Sequence, residues 1–281
     1  MLRVLVTGGL GQLGRAVAAA ATARGLTVTA MGAEELDITD PDAVLQTVRR
    51  LRPQWVINCA AYTDVDRAEA EPDAARAVNA SGVEHLATAC SEANALLVQI
   101  STDYVFPGTL RRPYREDDPT SPLGVYGRTK LEGERAARGC PHHLIVRTAW
   151  LYGHGGRNFV EAIRRQLARG VPELRVVDDQ RGNPTYATDL AEAILDLAAA
   201  GARGTVHAAG EGTATWLEFA REIATLLGAT VPLRAISTAE AGRPAPRPAD
   251  STLDTSQLQA LIGRRLPPWR DGLRRYLAEG V

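Results

Sequence analysis

Thr7-Gly8-Gly9-Leu10-Gly11-Gln12-Leu13-Gly14 stands between an apolar run, Leu2 to Thr7, and an alanine-rich stretch, Gln12 to Arg24. The run has the pattern of a buried strand and the stretch that of a helix, so the glycines form the turn between them. Gly8, Gly11 and Gly14 keep a G-x-x-G-x-x-G spacing, while Gly9, Gly11 and Gly14 keep G-x-G-x-x-G. Glycine is demanded where the turn is tight, where backbone must approach a pyrophosphate, and where helix and strand pack closely. The helix opening adds free N–H groups and the positive end of a dipole. A dinucleotide cradle is the expected use of this turn.

Outward from the turn, short apolar runs alternate with helical stretches. Leu26–Met31, Gln54–Asn58, Leu96–Ser101 and His143–Arg147 read as strands. Pro41–Leu51, Asp73–Glu92 and Pro122–Arg138 read as helices, the last with Ser121 as N-cap and Pro122 in its first turn. This alternation predicts an α/β fold with a doubly wound parallel sheet and right-handed crossovers, a Rossmann arrangement. Beyond about Gly155 the pattern loosens into helical stretches at 158–169, 188–200, 215–227 and 269–278, with a short strand at Thr205–His207. Residues 1–155, with a return segment near 184–200, are therefore expected to form the dinucleotide-binding domain. Residues 156–281 are expected to be mainly a smaller, interleaved substrate-binding domain. Gly242 to Pro248 holds three prolines and must be a loop, one that a ligand would order.

Composition narrows the function classes. With 281 residues, 45% hydrophobic and 23% charged, the chain is an ordinary globular one. A net charge of −1 provides no basic field for nucleic acid, and no apolar run is long enough to cross a membrane. Cys59, Cys90 and Cys140 show no C-x-x-C spacing and read as reduced thiols of a cytoplasmic protein. All but one of the 32 Lys and Arg residues are arginine, the exception being Lys130. A lone lysine in such a chain points to a task that arginine cannot perform.

Ile100 to Phe106 closes the fourth predicted strand, at the end where α/β sites lie. Tyr126 and Lys130 form Y-x-x-x-K, which a helix places on one face. A ketone accepting hydride gains negative charge on oxygen and must receive a proton. A tyrosine hydroxyl, titrating near ~10 in water, becomes a better donor when an ammonium beside it lowers that value. The compact ammonium can also donate to a nicotinamide ribose, a double role ill-suited to a planar guanidinium. Thr102 can hold the substrate oxygen in line with Tyr126. The acid that would bind an adenosine ribose 2′-hydroxyl is missing after Met31-Gly32; Glu34 and Glu35 come late, and no arginine stands there. Loss of the acid removes repulsion of a 2′-phosphate, which favours NADPH and leaves NADH open.

The glycine turn, S-T-D-Y-V-F and Y-G-x-T-K resemble the extended short-chain dehydrogenase/reductase superfamily, and more narrowly the dTDP-4-dehydrorhamnose reductases. The likeness also covers Asn58–Asp66, Ser121–Lys130, Arg147–Tyr152, Asp179–Thr185 and Arg247-Pro248, in order along nearly the whole chain. It implies reduction of the 4-keto group of dTDP-4-dehydro-β-L-rhamnose to dTDP-L-rhamnose, the last step of that synthesis. It implies Tyr126 as proton donor, with Lys130 and Thr102 beside it. Gly8, Gly11, Gln12 and Leu13 would cover the cofactor pyrophosphate. Asp37 and Ile38 would meet the adenine, and Ala60, Ala61, Tyr62 and Thr63 the adjoining ribose and phosphate. Thr102, Asp103 and Trp150 would contact the dTDP-4-keto-6-deoxy sugar, and Arg247 could meet its pyrophosphate. Some family members dimerise through a metal held by acids. This chain has Arg15-Ala16 at one such place and an adjacent His142-His143 pair, so no metal site is expected, and a monomer or weak homodimer is. Alternatives are another dTDP-4-keto-sugar reductase such as a dihydrostreptose-type synthase, an epimerase of the same build, or a non-catalytic NADP-binding regulatory subunit.

Overall fold

Hydrophobic alternation explains the central sheet of the computed structural model, which describes residues 1–279. In β1 (Arg3–Thr7), Val4 and Val6 enter one apolar cluster and Leu5 enters another. Successive side chains point to opposite faces, and both faces are covered, so the strand reads as one continuous apolar run. β2 (Thr27–Met31), β3 (Trp55–Asn58), β4 (Leu96–Thr102) and β5 (His143–Thr148) follow in the chain. With the strand Gly204–His207 they form a six-stranded sheet in the order Gly204–His207, β5, β4, β3, β1, β2. Every neighbouring pair is parallel. The order reverses at β1, and in open α/β sheets the crevice beyond the strand C-termini at such a point receives ligands.

Three buried polar side chains lock the register there. Thr7 Oγ1 donates to Asn58 Oδ1 at 2.5 Å, and Asn58 Nδ2 donates to Gln99 Oε1 at 2.7 Å. These bonds tie β1, β3 and β4 together at their C-terminal ends, directly under the crevice.

The helices are α1 (Gln12–Ala23), α2 (Pro41–Leu51), α3 (Val65–Ala70), α4 (Pro72–Arg76), α5 (Gly82–Ala93), α6 (Val125–Ala137), α7 (Phe159–Ala168) and α8 (Ala187–Ala199), with further ones beyond. The single helix expected over Asp73–Glu92 is interrupted by a π turn at Ala77–Ser81. That wider turn seats Asn79, whose amide bonds both the N–H and the C=O of Tyr62 and donates to Thr129 of α6. Helix α6 starts later than the expected Ser121 N-cap. Ser121 N donates to the Val105 carbonyl instead, Gly124 takes the extended N-cap conformation, and Glu69 accepts from the first helical N–H, that of Val125.

More of the second half returns to the sheet than the stretch 184–200. Leu190, Ile194 and Leu197 of α8 pack with Val17 of α1, Val206 forms part of the edge strand, and Leu258 and Leu266 join the same core. The rest of the second half has its own core, built on Tyr152, Tyr186, Phe219, Trp269 and Tyr276. Gly242 to Pro248 lies outside helices and strands, yet intramolecular contacts hold it. Asp66 of α3 accepts from Arg243, Arg247 and the Ala245 N–H.

Candidate active site

A cleft of about 910 Å³ opens at the C-terminal ends of β1, β3, β4 and β5. Its floor is the glycine turn. Gly8 has φ +63°, and a Cβ there would stand 2.5 Å from the Ala60 nitrogen. A Cβ at Gly14 would collide with the Gly8 carbonyl, so the helix lies as near the strand as backbone allows. Gly11, Gln12 and Leu13 line this floor, Asp37 and Ile38 border one end, and Ala60, Ala61, Tyr62 and Thr63 form a wall. The space above an open helix N-terminus, with no side chain to fill it, fits the phosphates of a dinucleotide.

At the end of β2, Glu35 turns back so that its carboxylate accepts from Gly32 N at 2.8 Å. Gly32 and Ala33 line the cleft and Glu35 does not. The late acid therefore caps a turn beside the place where an acid was missed.

Thr102, Asp103, Tyr126 and Lys130 meet at the other end. Thr102 ends β4 and is 6% exposed, and its hydroxyl donates to Asp103 at 3.0 Å while accepting from Tyr104 N. Burial pushes the Asp103 carboxyl up to about 7, against the lowering effect of bonds from Ser251 and Thr102. Tyr126 opens α6 beside Tyr104, edge to face with ring centroids 5.8 Å apart. Burial pushes its hydroxyl up to about 12, opposed by the bond with Thr102 and reinforced by the Asp103 charge. The expected lowering of this phenol by an ammonium is not found: the groups that shift it are its own burial, Thr102 and Asp103, and Lys130 is not one of them. Lys130 is 4% exposed and donates to the Ile100 carbonyl at 2.7 Å. Burial lowers its pKa to about 8, opposed by Glu134 and Cys59. Glu134, one turn along α6, is fully buried and bonded by Arg147 and Ser101.

Trp150 also lines the cleft. It takes a left-handed backbone, φ +46°, which is costly for a bulky residue and is held here by packing. Its indole stacks on Trp216 with centroids 3.5 Å apart and planes 3° from parallel, and Gly182 leaves room at its edge. Arg247 lies outside the cleft wall. Its guanidinium faces Asp66, which neutralises it, and bonds the Tyr104 hydroxyl. Sequence reasoning missed Trp216, Phe159 and Asn79. Nothing local marks them, since the first two reach the cleft from the second core and Asn79 acts through a π turn. No group of three metal-binding side chains occurs among the described residues.

The family profile described as "RmlD substrate binding domain" matches residues 2–281. This chain belongs to the dTDP-4-dehydrorhamnose reductase family. It is 48% identical to the dTDP-4-dehydrorhamnose reductase of Streptomyces griseus, over 96% of this chain and 91% of that one. It is 43% identical to a probable dTDP-4,6-dihydroxy-2-methyloxan-3-one 4-ketoreductase of Streptomyces antibioticus, over 97% and 94%. The crystal structure of the Bacillus anthracis dTDP-4-dehydrorhamnose reductase, in complex with NADP, matches with a TM-score of 0.96 at 38% identity, covering 99% of this chain and 100% of that one. Membership makes the chain an oxidoreductase with a Rossmann fold of the extended short-chain type. No helix among the described residues is long and apolar enough to cross a membrane.

Proposed function

We propose that the chain uses NADPH to reduce the 4-keto group of dTDP-4-dehydro-β-L-rhamnose, giving dTDP-L-rhamnose and completing that synthesis in the cytoplasm. One observation carries the reading. Thr102, Tyr126 and Lys130 all line one cleft whose floor is the glycine turn, with Thr102 bonded to the Tyr126 hydroxyl and Lys130 one helical turn from Tyr126 on α6. The names of the Streptomyces griseus and Bacillus anthracis relatives support the substrate, and NADP in the second supports the cofactor.

NADPH, when bound, supplies hydride to the keto carbon. Gly8, Gly11, Gln12 and Leu13 would hold its pyrophosphate, Asp37 and Ile38 its adenine, and Ala60, Ala61, Tyr62 and Thr63 the part between. Tyr126 would offer its O–H to the keto oxygen, where negative charge develops, and Thr102 would join it by turning its hydroxyl from Asp103 to that oxygen when substrate binds. Tyr126 gives its proton there. A phenol held near 12 is protonated at neutral pH, which is the form a donor needs. Lys130 would donate to the nicotinamide ribose and steady the phenolate that remains, with the Ile100 carbonyl holding its ammonium beforehand. The same burial that shifts these groups excludes water and strengthens their electrostatics. Asp103 orients Thr102, and Asp103 and Trp150 would bound the sugar.

The Streptomyces antibioticus relative favours a second reading, a 4-ketoreductase for a different dTDP-4-keto sugar. Incubation with NADPH and dTDP-4-dehydrorhamnose, followed by NMR of the product, separates the two. The first reading predicts stoichiometric dTDP-L-rhamnose, with NADPH at least as effective as NADH. NADPH-oxidising activity confined to a differently substituted keto sugar would favour the second.

A further inference from the structure

After β5 the chain runs Gly153-His154-Gly155-Gly156-Arg157-Asn158 into α7, a second glycine-rich segment. It packs against the first turn of α1, through the side chains of Gln12 and Arg15, and against the start of α8. A Cβ at Gly155 would stand 2.6 Å from Arg15 Cδ, and one at Gly156 would stand 2.8 Å from Gln12 Cγ. A Cβ at Gly153 would stand 2.7 Å from the Ala187 Cβ. Gly155 has φ +84°, a conformation open to glycine. Gln12 ties the two segments: its Nε2 donates to the Arg157 carbonyl and its Oε1 accepts from Asn158 Nδ2, both at 3.1 Å. Asn158 Nδ2 also bonds the Gly153 carbonyl and the Tyr276 hydroxyl, anchoring the strap to the second core.

Gln12 opens α1, and Arg157 and Gly156 border the cleft beside it. The Arg157 side chain is exposed, and among the described residues no carboxylate lies within ion-pair distance of it. Other arginines nearby are engaged, Arg15 with the Leu10 carbonyl and Arg164 with Glu161. The glycine turn itself, Thr7 to Gly14, carries no basic side chain for a diphosphate.

We propose that Gly153–Asn158 is the outer half of the cofactor pyrophosphate site and that the Arg157 guanidinium pairs with that diphosphate. This rests on the dinucleotide reading above. A guanidinium offers several donors in a planar fork suited to phosphate oxygens. The bond from Gln12 to the Arg157 carbonyl holds this residue beside the start of α1, which favours the cofactor over the sugar nucleotide, whose proposed contacts are Asp103 and Trp150.

The test is fluorescence titration of the wild-type protein, Arg157→Ala and Arg157→Lys with NADPH and with NADH, together with KM for the sugar nucleotide. Loss of a charge-assisted bond predicts about tenfold weaker binding of both dinucleotides to Arg157→Ala. Arg157→Lys should recover part of it, and Arg157→Ala should show a weaker dependence of Kd on salt. The KM for the sugar nucleotide should hold within about twofold, since that contact is elsewhere. Unchanged dinucleotide affinity in both variants overturns the proposal. So does a loss confined to NADPH, which would place Arg157 on the 2′-phosphate, or one confined to the sugar nucleotide. Wild-type protein that bound no dinucleotide would overturn the functional reading and this inference together.

Discussion

Lys130 carries an unusual electrostatic position for a residue whose charge is needed. Burial lowers its pKa to about 8 from the model-peptide value of 10.5. The ammonium is therefore lost as pH rises through about 8, while Tyr126, held near 12, keeps its proton. A profile of kcat/KM for NADPH should fall on the alkaline side with one proton lost near 8, since kcat/KM reports groups of the free enzyme. Stability moves the other way. Between about 8 and 10.5 the unfolded lysine binds a proton that the folded one has released, so this residue's contribution to folding rises with pH. A falling rate with unchanged or rising Tm separates deprotonation from unfolding. A rate flat from pH 7 to pH 10 would contradict the role given to Lys130.

Helix α6 carries both Tyr126 and Lys130, so its seating sets the geometry of the site. Gly133, two turns after Tyr126, allows α6 to touch the π turn: a Cβ there would collide with the backbone carbonyl of Asn79. Alanine is the better helix former by about 1 kcal/mol, but a Cβ 2.0 Å from a backbone oxygen forces backbone to move, at the upper end of the overpacking cost, about 3 kcal/mol. Gly133→Ala should therefore lower Tm by several degrees and reduce kcat, because Asn79 also holds Tyr62 and Thr129. Thermal unfolding and steady-state kinetics check both effects, and an unchanged or raised Tm would contradict the packing argument. The existence of α6 was legible in the sequence, but its start was not. Ser121 and Pro122 are a good helix opening by local rules, and they lost to Glu69, whose carboxylate reaches from α3 to cap Val125. Likewise, the periodicity of residues 73–92 could show helix but not the π turn within it.

At the scale of the whole molecule, residues close to the glycine turn in the chain were the easiest to read. β-α alternation names the sheet because its central strands bury both faces, and the turn glycines announce a tight β-to-α connection although the contacts that require Gly8 and Gly9 come from Ala60 and from Ala30 and Met31. Thr102, Tyr126 and Lys130 were legible as residue types suited to one reaction. Their burial was not, and burial is what raises the phenol and lowers the ammonium. Trp216 and Phe159 were hidden because they come to the cleft from the second core across long sequence separations. The pairing of Arg247 with Asp66 was hidden because the two are far apart in sequence. In the proposed reductase the single lysine does what arginine cannot. The measurement that tests this most directly is turnover of dTDP-4-dehydrorhamnose with NADPH by the wild-type protein, Lys130→Arg and Tyr126→Phe. General-acid catalysis contributes roughly 10²–10⁴-fold, so each variant should lose more than tenfold in kcat while the wild-type protein forms dTDP-L-rhamnose. Near-normal turnover by Lys130→Arg would contradict the account.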